Sequence, residues 1–176
     1  GLVLNVARQA GFERIAGWLL LAPFVGISDP SVRPYFGGWV REFRRLRFIL
    51  VVAANALGIR RFNDIPLLKF DREVCLHDPR FAREWAFDAI FGFGPGPAHL
   101  SRQKIAGAPV LLVSGDRDDC FIAAHYQRAL AKLAPQGECR LIEGLGHWDV
   151  LVDAQALDLC SNWLRDRFPE ADNMGH

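Results

Sequence analysis

Residues 108–119 read APVLLVSGDRDD: an apolar run closed by Ser114 and Gly115, followed by a cluster of carboxylates. An unbroken apolar run of this length suits a strand covered on both faces of a parallel sheet, because a strand with one wet face would alternate. Residues 17–25, GWLLLAPFV, carry the same signature and stop at Pro23 and Gly26. Residues 138–144, ECRLIEG, predict a shorter and more polar strand nearer an edge. Helical spacing follows the last two strands. Ala124, Ala129 and Leu133 mark a helix over 123–133, and Leu151, Ala154, Leu157, Cys160 and Leu164 mark one over 150–168, with Asp149 as its expected N-cap. Strand, helix, strand, helix is the alternation of an α/β fold, a parallel sheet flanked by helices.

Outward from this core, Leu2, Val3, Val6, Ala7 and Ala10 recur at helical spacing and Gly11 follows as a C-terminal cap. The stretch between the first two core strands is too long for a simple crossover and reads as an inserted, mainly helical cap. A helix is expected over 39–57 with an apolar face of Val40, Phe43, Leu46 and Leu50, and another over 80–91 containing Phe81, Trp85, Phe87 and Ile90. The expected organisation is therefore core helix and strand over 1–27, cap over 28–104, core strands and helices over 105–170, and a tail over 171–176.

Composition narrows the function classes. With 176 residues of which 51% are hydrophobic, the chain can build a core and is not disordered. Lys and Arg number 21 against 20 Asp and Glu, so no overall field attracts a polyanion, and a nucleic-acid partner is not expected. Cys75, Cys120, Cys139 and Cys160 never form C-x-x-C and read as buried thiols, compatible with a cytoplasmic location. The opening residues lack a signal-peptide pattern, and the apolar runs at 18–25 and 48–57 fall short of the ~20 residues of a membrane span. Residues 92–97, GFGPGP, read as a hinge, since the prolines remove backbone donors and no P-loop lysine follows. His77, His99, His125 and His176 lack ligands at metal spacing, so neither metal nor cofactor is expected.

Two loops remain where chemistry could sit. One, residues 114–119, carries Asp116, Asp118 and Asp119; the other, residues 143–149, carries His147 between glycines and Trp148. Both follow the carboxyl ends of predicted parallel strands, the end at which such sheets bind ligands. An imidazole can take and return a proton, and a carboxylate on its Nδ1 fixes the tautomer. Acid before histidine, on consecutive strands, is also the order in which the α/β-hydrolase triad continues after its serine.

These residues carry a resemblance. APVLLVSGDRDD with LIEGLGHWDVLVDAQALDLCSNWL resembles the C-terminal third of an α/β-hydrolase, in particular the serine-aminopeptidase or lysophospholipase-like group. GLVLNVA, WLLLAPFVG, LGIRRFNDIPLLKF and FGFGP extend the likeness over almost the whole chain. The resemblance implies a C-terminal part of an α/β-hydrolase fold with an inserted helical cap, Asp118 as triad acid and His147 as base. Asp116 and Asp119 stay open as alternative acids. One element departs from the pattern: Ser28, Ser31, Ser101, Ser114 and Ser161 all lack the G-x-S-x-G elbow. The resemblance puts that serine just upstream of Gly1, so the 176 residues alone are expected to be inactive, while the longer parent would cleave a mainly hydrophobic ester, with Trp39, Phe43, Phe81, Trp85 and Phe87 as cap candidates for the pocket.

Two rivals follow from the same residues. A non-catalytic α/β-hydrolase-fold binding protein would also lack the elbow, and VSGDRDD superficially resembles an acidic motif of haloacid-dehalogenase-type phosphatases, although the early Asp-x-Asp those enzymes need directly after the first strand is missing beyond Val25. Finally, Arg41, Arg44, Arg45, Arg47, Arg60 and Arg61 form the one notable charge cluster. A solvated cap surface is its plainest meaning; the sharper one is a basic amphipathic lid on an anionic lipid surface.

Overall fold

The computed structural model describes residues 15–26, 29–73, 82–93 and 108–169. The expected helix over 1–10, the glycine–proline hinge beyond residue 93, Phe81, Cys75 and the tail over 171–176 lie outside the described residues.

Strands β1 (Trp18–Leu21), β5 (Val110–Gly115) and β6 (Glu138–Ile142) form a parallel sheet in the order β1-β5-β6, with Leu20 opposite Leu112 and Ser114 opposite Leu141. Every residue of β5 is buried, which is what its unbroken apolar run encodes. Successive side chains point to opposite faces, and the core divides accordingly. Val110 and Leu112 join Leu20, Val25, Phe121 and the residues Tyr126, Leu130 and Leu133 of α3 (Tyr126–Leu133). Leu111 and Val113 join Ile142, Val150 and the residues Ala156, Cys160 and Trp163 of α4 (Ala154–Arg167). Among the described residues, one helix thus covers each face of β5. The Tyr126 hydroxyl donates to the Pro23 carbonyl at 3.0 Å and ties the exit of β1 to α3.

The N-cap of α4 differs from expectation. Asp153, in extended conformation, accepts from Ala156 N at 3.0 Å, while residues 149–151 form a separate 3-10 turn and Asp149 instead accepts from Gly146 N at 2.8 Å. Asp149 and Asp153 both precede apolar residues, and the loop geometry chooses between them.

The intervening segment is less helical than its periodicity suggested. Val40–Phe43 is a strand, β2, rather than the start of a helix, and pairs antiparallel with β3 (Pro66–Phe70), which pairs with β4 (Glu84–Ala86). Helix α1 spans Arg45–Ala56, and the helix expected over 80–91 is β4 followed by α2 (Phe87–Phe93). Non-local pairing overrides local spacing here. Arg44 bonds Glu42 at 3.2 Å and Glu84 at 2.8 Å, bridging the two outer strands. The apolar face assigned to Leu46 and Leu50 also turns out differently: Val51 is the buried residue of α1, with Phe48 against Phe43 and Phe91, and Leu46 and Leu50 face outward. Buried Asn63 fastens α1 to α2, accepting from Asn55 at 2.6 Å and donating to Asp88 at 2.8 Å.

Candidate active site

The loops after β5 and β6 are stitched together by hydrogen bonds from both sides. Asp116 N donates to Ile142 O at 3.0 Å, Arg117 N donates to Leu145 O at 3.0 Å, and Gly144 N donates to Asp116 Oδ1 at 2.7 Å. Gly144 has φ +82, a left-handed turn that a side chain strains. Gly115 permits the close approach itself, since a Cβ there would lie 2.0 Å from the Leu145 carbonyl oxygen.

This stitching brings Asp118 and His147 to one rim of the sheet. His147 Nδ1 lies 2.9 Å from Asp118 Oδ2. An ionised carboxylate can only accept, so Nδ1 carries the hydrogen and, in the neutral ring, Nε2 is left as an acceptor. The other carboxylate oxygen, Oδ1, accepts from Cys120 N at 2.8 Å and Phe121 N at 2.7 Å. The Asp118 side chain is fully buried, whereas the imidazole keeps 15% of its surface exposed. A buried carboxylate held by three donors is fixed in position, and hydrogen bonds to its charged form offset the cost of burial.

The two alternative acids do other things. Asp116 binds the His loop backbone, and Asp119 Oδ2 accepts from Trp39 Nε1 at 2.9 Å. Neither hydrogen-bonds the imidazole among the described residues.

Aromatic rings surround His147. Trp39 meets its ring edge-on at 5.0 Å, Phe121 at 5.2 Å and Trp148 at 5.4 Å, and Trp39 stacks on Trp148 at 5.6 Å with planes 15° apart. Trp148 therefore packs against both Trp39 and the imidazole. Trp39 reaches it through a turn in which Tyr35, Phe36 and Gly37 are all left-handed. A Cβ on Gly37 would lie 1.7 Å from the Asp119 carbonyl oxygen, so the turn docks directly on the acid loop. Arg33 Nε donates to the carbonyls of Asp118 at 3.3 Å and Phe121 at 3.2 Å, bracing that loop from outside. The role of Arg33 carried no sequence signal, because it depends on contacts across more than eighty residues, and that of Phe121 carried none because its ring meets His147 from a different loop. Of the other pocket candidates, Phe43 packs on Phe48, Trp85 on Phe70 and Phe87 on Phe91.

Buried Cys120 follows the acid, and burial, reinforced by the Asp118 charge, pushes its thiol far above the ordinary range, so it is no nucleophile at neutral pH. Burial likewise raises Cys139 and Cys160. Among the described residues no serine hydroxyl bonds His147: Ser114 Oγ points to the Gly115 carbonyl, and Ser31 Oγ is buried without a partner.

No protein-family profile matches the chain, and no curated protein matches it by sequence. Solved structures do match. A monoacylglycerol lipase of Paleococcus ferrophilus is 16% identical with a TM-score of 0.57, over 93% of this chain and 65% of the lipase. The α/β-hydrolase GrgF of Penicillium sp. sh18 is 16% identical with a TM-score of 0.58, over 94% and 60%. A thermophilic esterase of Thermogutta terrifontis is 16% identical with a TM-score of 0.54, over 94% and 61%. The chain thus spans less than two thirds of the length of each. At these identities the likeness establishes architecture: the parallel sheet and its flanking helices are part of an α/β-hydrolase fold.

Proposed function

We propose that this chain supplies the acid and base of a serine hydrolase acting on carboxylic esters, within the serine-aminopeptidase or lysophospholipase-like group, and that the nucleophilic serine lies outside these 176 residues. The observation that carries the reading is the Asp118–His147 hydrogen bond, with the second carboxylate oxygen pinned by two backbone N–H groups. In this mechanism Nε2 of His147 takes the serine hydroxyl proton as the oxygen attacks the ester carbonyl. The imidazolium, held by Asp118, then protonates the departing alkoxide, and the same base activates the water that releases the acyl group. The wall of Trp39, Phe121 and Trp148 beside the imidazole favours an apolar acyl or alkyl group.

The test is the protein encoded by the longer reading frame. A G-x-S-x-G elbow should precede Gly1 by a few residues, a fluorophosphonate probe should label its serine, and nitrophenyl-ester turnover should vanish in His147→Ala. The 176 residues alone should turn over no ester. A longer frame without an elbow, or turnover by the 176-residue chain that depends on His147, overturns the proposal.

A further inference from the structure

Helix α1 is apolar on the side it buries and on the side it exposes. Val51 and Phe48 face inward, yet Leu46 is 78% exposed, Ile49 54%, Leu50 69% and, just past the helix end, Leu57 78%. These positions, with Ala53 between them, fall at spacings of three and four and form one outward stripe opposite Val51. A solvated helix carries polar residues there; a stripe of long aliphatic side chains marks a surface with an occupant.

The charge around the stripe identifies the occupant. Arg41, Arg45 and Arg47 lie at its start and Arg60 and Arg61 at its end, all exposed. No Asp or Glu occurs over residues 43–63, and Glu42 is engaged by Arg44. Among the described residues Arg41, Arg45 and Arg47 make no ion pair. Arg45 and Arg47 also occupy the first turn of α1, the end at which the helix macrodipole disfavours cations, so helix stability does not account for them. A second copy docking by two-fold symmetry would set arginines against arginines. A layer of anionic headgroups over acyl chains satisfies both features, because it accepts the aliphatic stripe and neutralises the flanking guanidinium groups.

We propose that α1 docks flat on an anionic lipid bilayer, with Leu46, Ile49, Leu50 and Leu57 entering the headgroup–acyl boundary and Arg41, Arg45, Arg47, Arg60 and Arg61 contacting acidic headgroups. The stripe is about 18 Å long at the rise of an α-helix, which suits lying in the interface and not crossing it. This docking does not depend on the hydrolase reading, and His147→Ala should bind as the unaltered chain does.

Co-sedimentation with vesicles tests it, comparing phosphatidylcholine alone with phosphatidylcholine and phosphatidylserine in equal parts. The purified chain should pellet with the anionic vesicles at low salt, stay in solution with the neutral ones, and be released as salt rises. Arg45→Gln with Arg47→Gln should weaken binding by about fivefold per arginine. Leu46→Gln with Leu50→Gln keeps the charge and should abolish binding; because both side chains already face solvent, circular dichroism should show an unchanged fold. Equal binding to neutral and anionic vesicles overturns the proposal, as does anionic binding that the leucine variant leaves intact. Failure to bind overturns it too, whether the chain elutes as a monomer or as a dimer that the leucine variant dissociates, the latter identifying a second copy as the occupant.

Discussion

The indole N–H of Trp39 donates to Asp119 at 2.9 Å, a bond across 80 residues of sequence that ties the entry of β2 to the loop holding Asp118. The same indole lies edge-on to His147 and stacks on Trp148, so one side chain touches both loops of the site. Trp39→Phe keeps a ring against His147 and loses the bond to Asp119, and should cost about 1 kcal/mol of stability. Trp39→Ala loses both and should cost about 2–3 kcal/mol. Denaturant unfolding measures the costs, and the His147 ring resonances should move more in the alanine variant. Equal effects in the two variants would show that the ring contact contributes nothing.

Asp118→Asn tests the link between carboxylate and imidazole. The amide oxygen can still accept from Cys120 and Phe121, which leaves the amide N–H₂ facing His147 Nδ1. Two donors cannot share that bond, so the hydrogen should move to Nε2, the atom the proposed mechanism needs as an acceptor. Nitrogen NMR should report the tautomer change in the chain as it stands. In the longer hydrolase proposed above, kcat should fall by about 10⁴-fold.

The alternation of strand and helix was legible because each local signal agreed with the tertiary outcome: Val110 to Val113 are apolar and are covered on both faces. Legibility failed where distant pairing decided the conformation. Val40 and Phe43 have the spacing of a helix face, but β3 offers them a strand partner, and Phe70 and Leu68 sit opposite them. Leu46 and Leu50 do share a face, yet nothing in their spacing says whether it points in or out. At the site, Asp116, Asp118 and Asp119 are chemically equal in sequence. The structure separates them by partner, giving one to a backbone N–H, one to an imidazole and one to an indole.

Gly115→Ala probes the approach of the two loops. The added methyl would lie 2.0 Å from the Leu145 carbonyl oxygen, and both loops are held by backbone hydrogen bonds, so neither can yield without breaking them. The expected loss is about 2–3 kcal/mol, of the order seen when an interior is overpacked. The Asp118–His147 bond should lengthen as well, visible as faster exchange of the His147 ring proton. An alanine variant as stable as the parent would mean that the loops are less tightly joined than their hydrogen bonds imply.

Glu138 predicts a pH dependence far from the site. Its Oε1 accepts from Trp163 Nε1 at 3.0 Å and from Arg167, and its Oε2 accepts from Arg140 at 3.2 Å. The indole hydrogen bond first, and then the two arginines, hold its carboxyl below the ordinary value of 4.5. A group lowered by folding contributes stability that is fully present above its unfolded pKa and is lost as pH falls through the folded one. The bonds fasten β6 to α4, so Glu138→Gln should lower the unfolding free energy at neutral pH by about 1 kcal/mol, a modest figure because the carboxylate is partly exposed. As pH falls below 4.5, the difference between the variant and the parent should shrink toward zero, because protonation leaves the parent with the same uncharged group. Urea unfolding across that range measures it. A difference that stays constant to the acid limit would assign the loss to packing of the side chain and not to its charge.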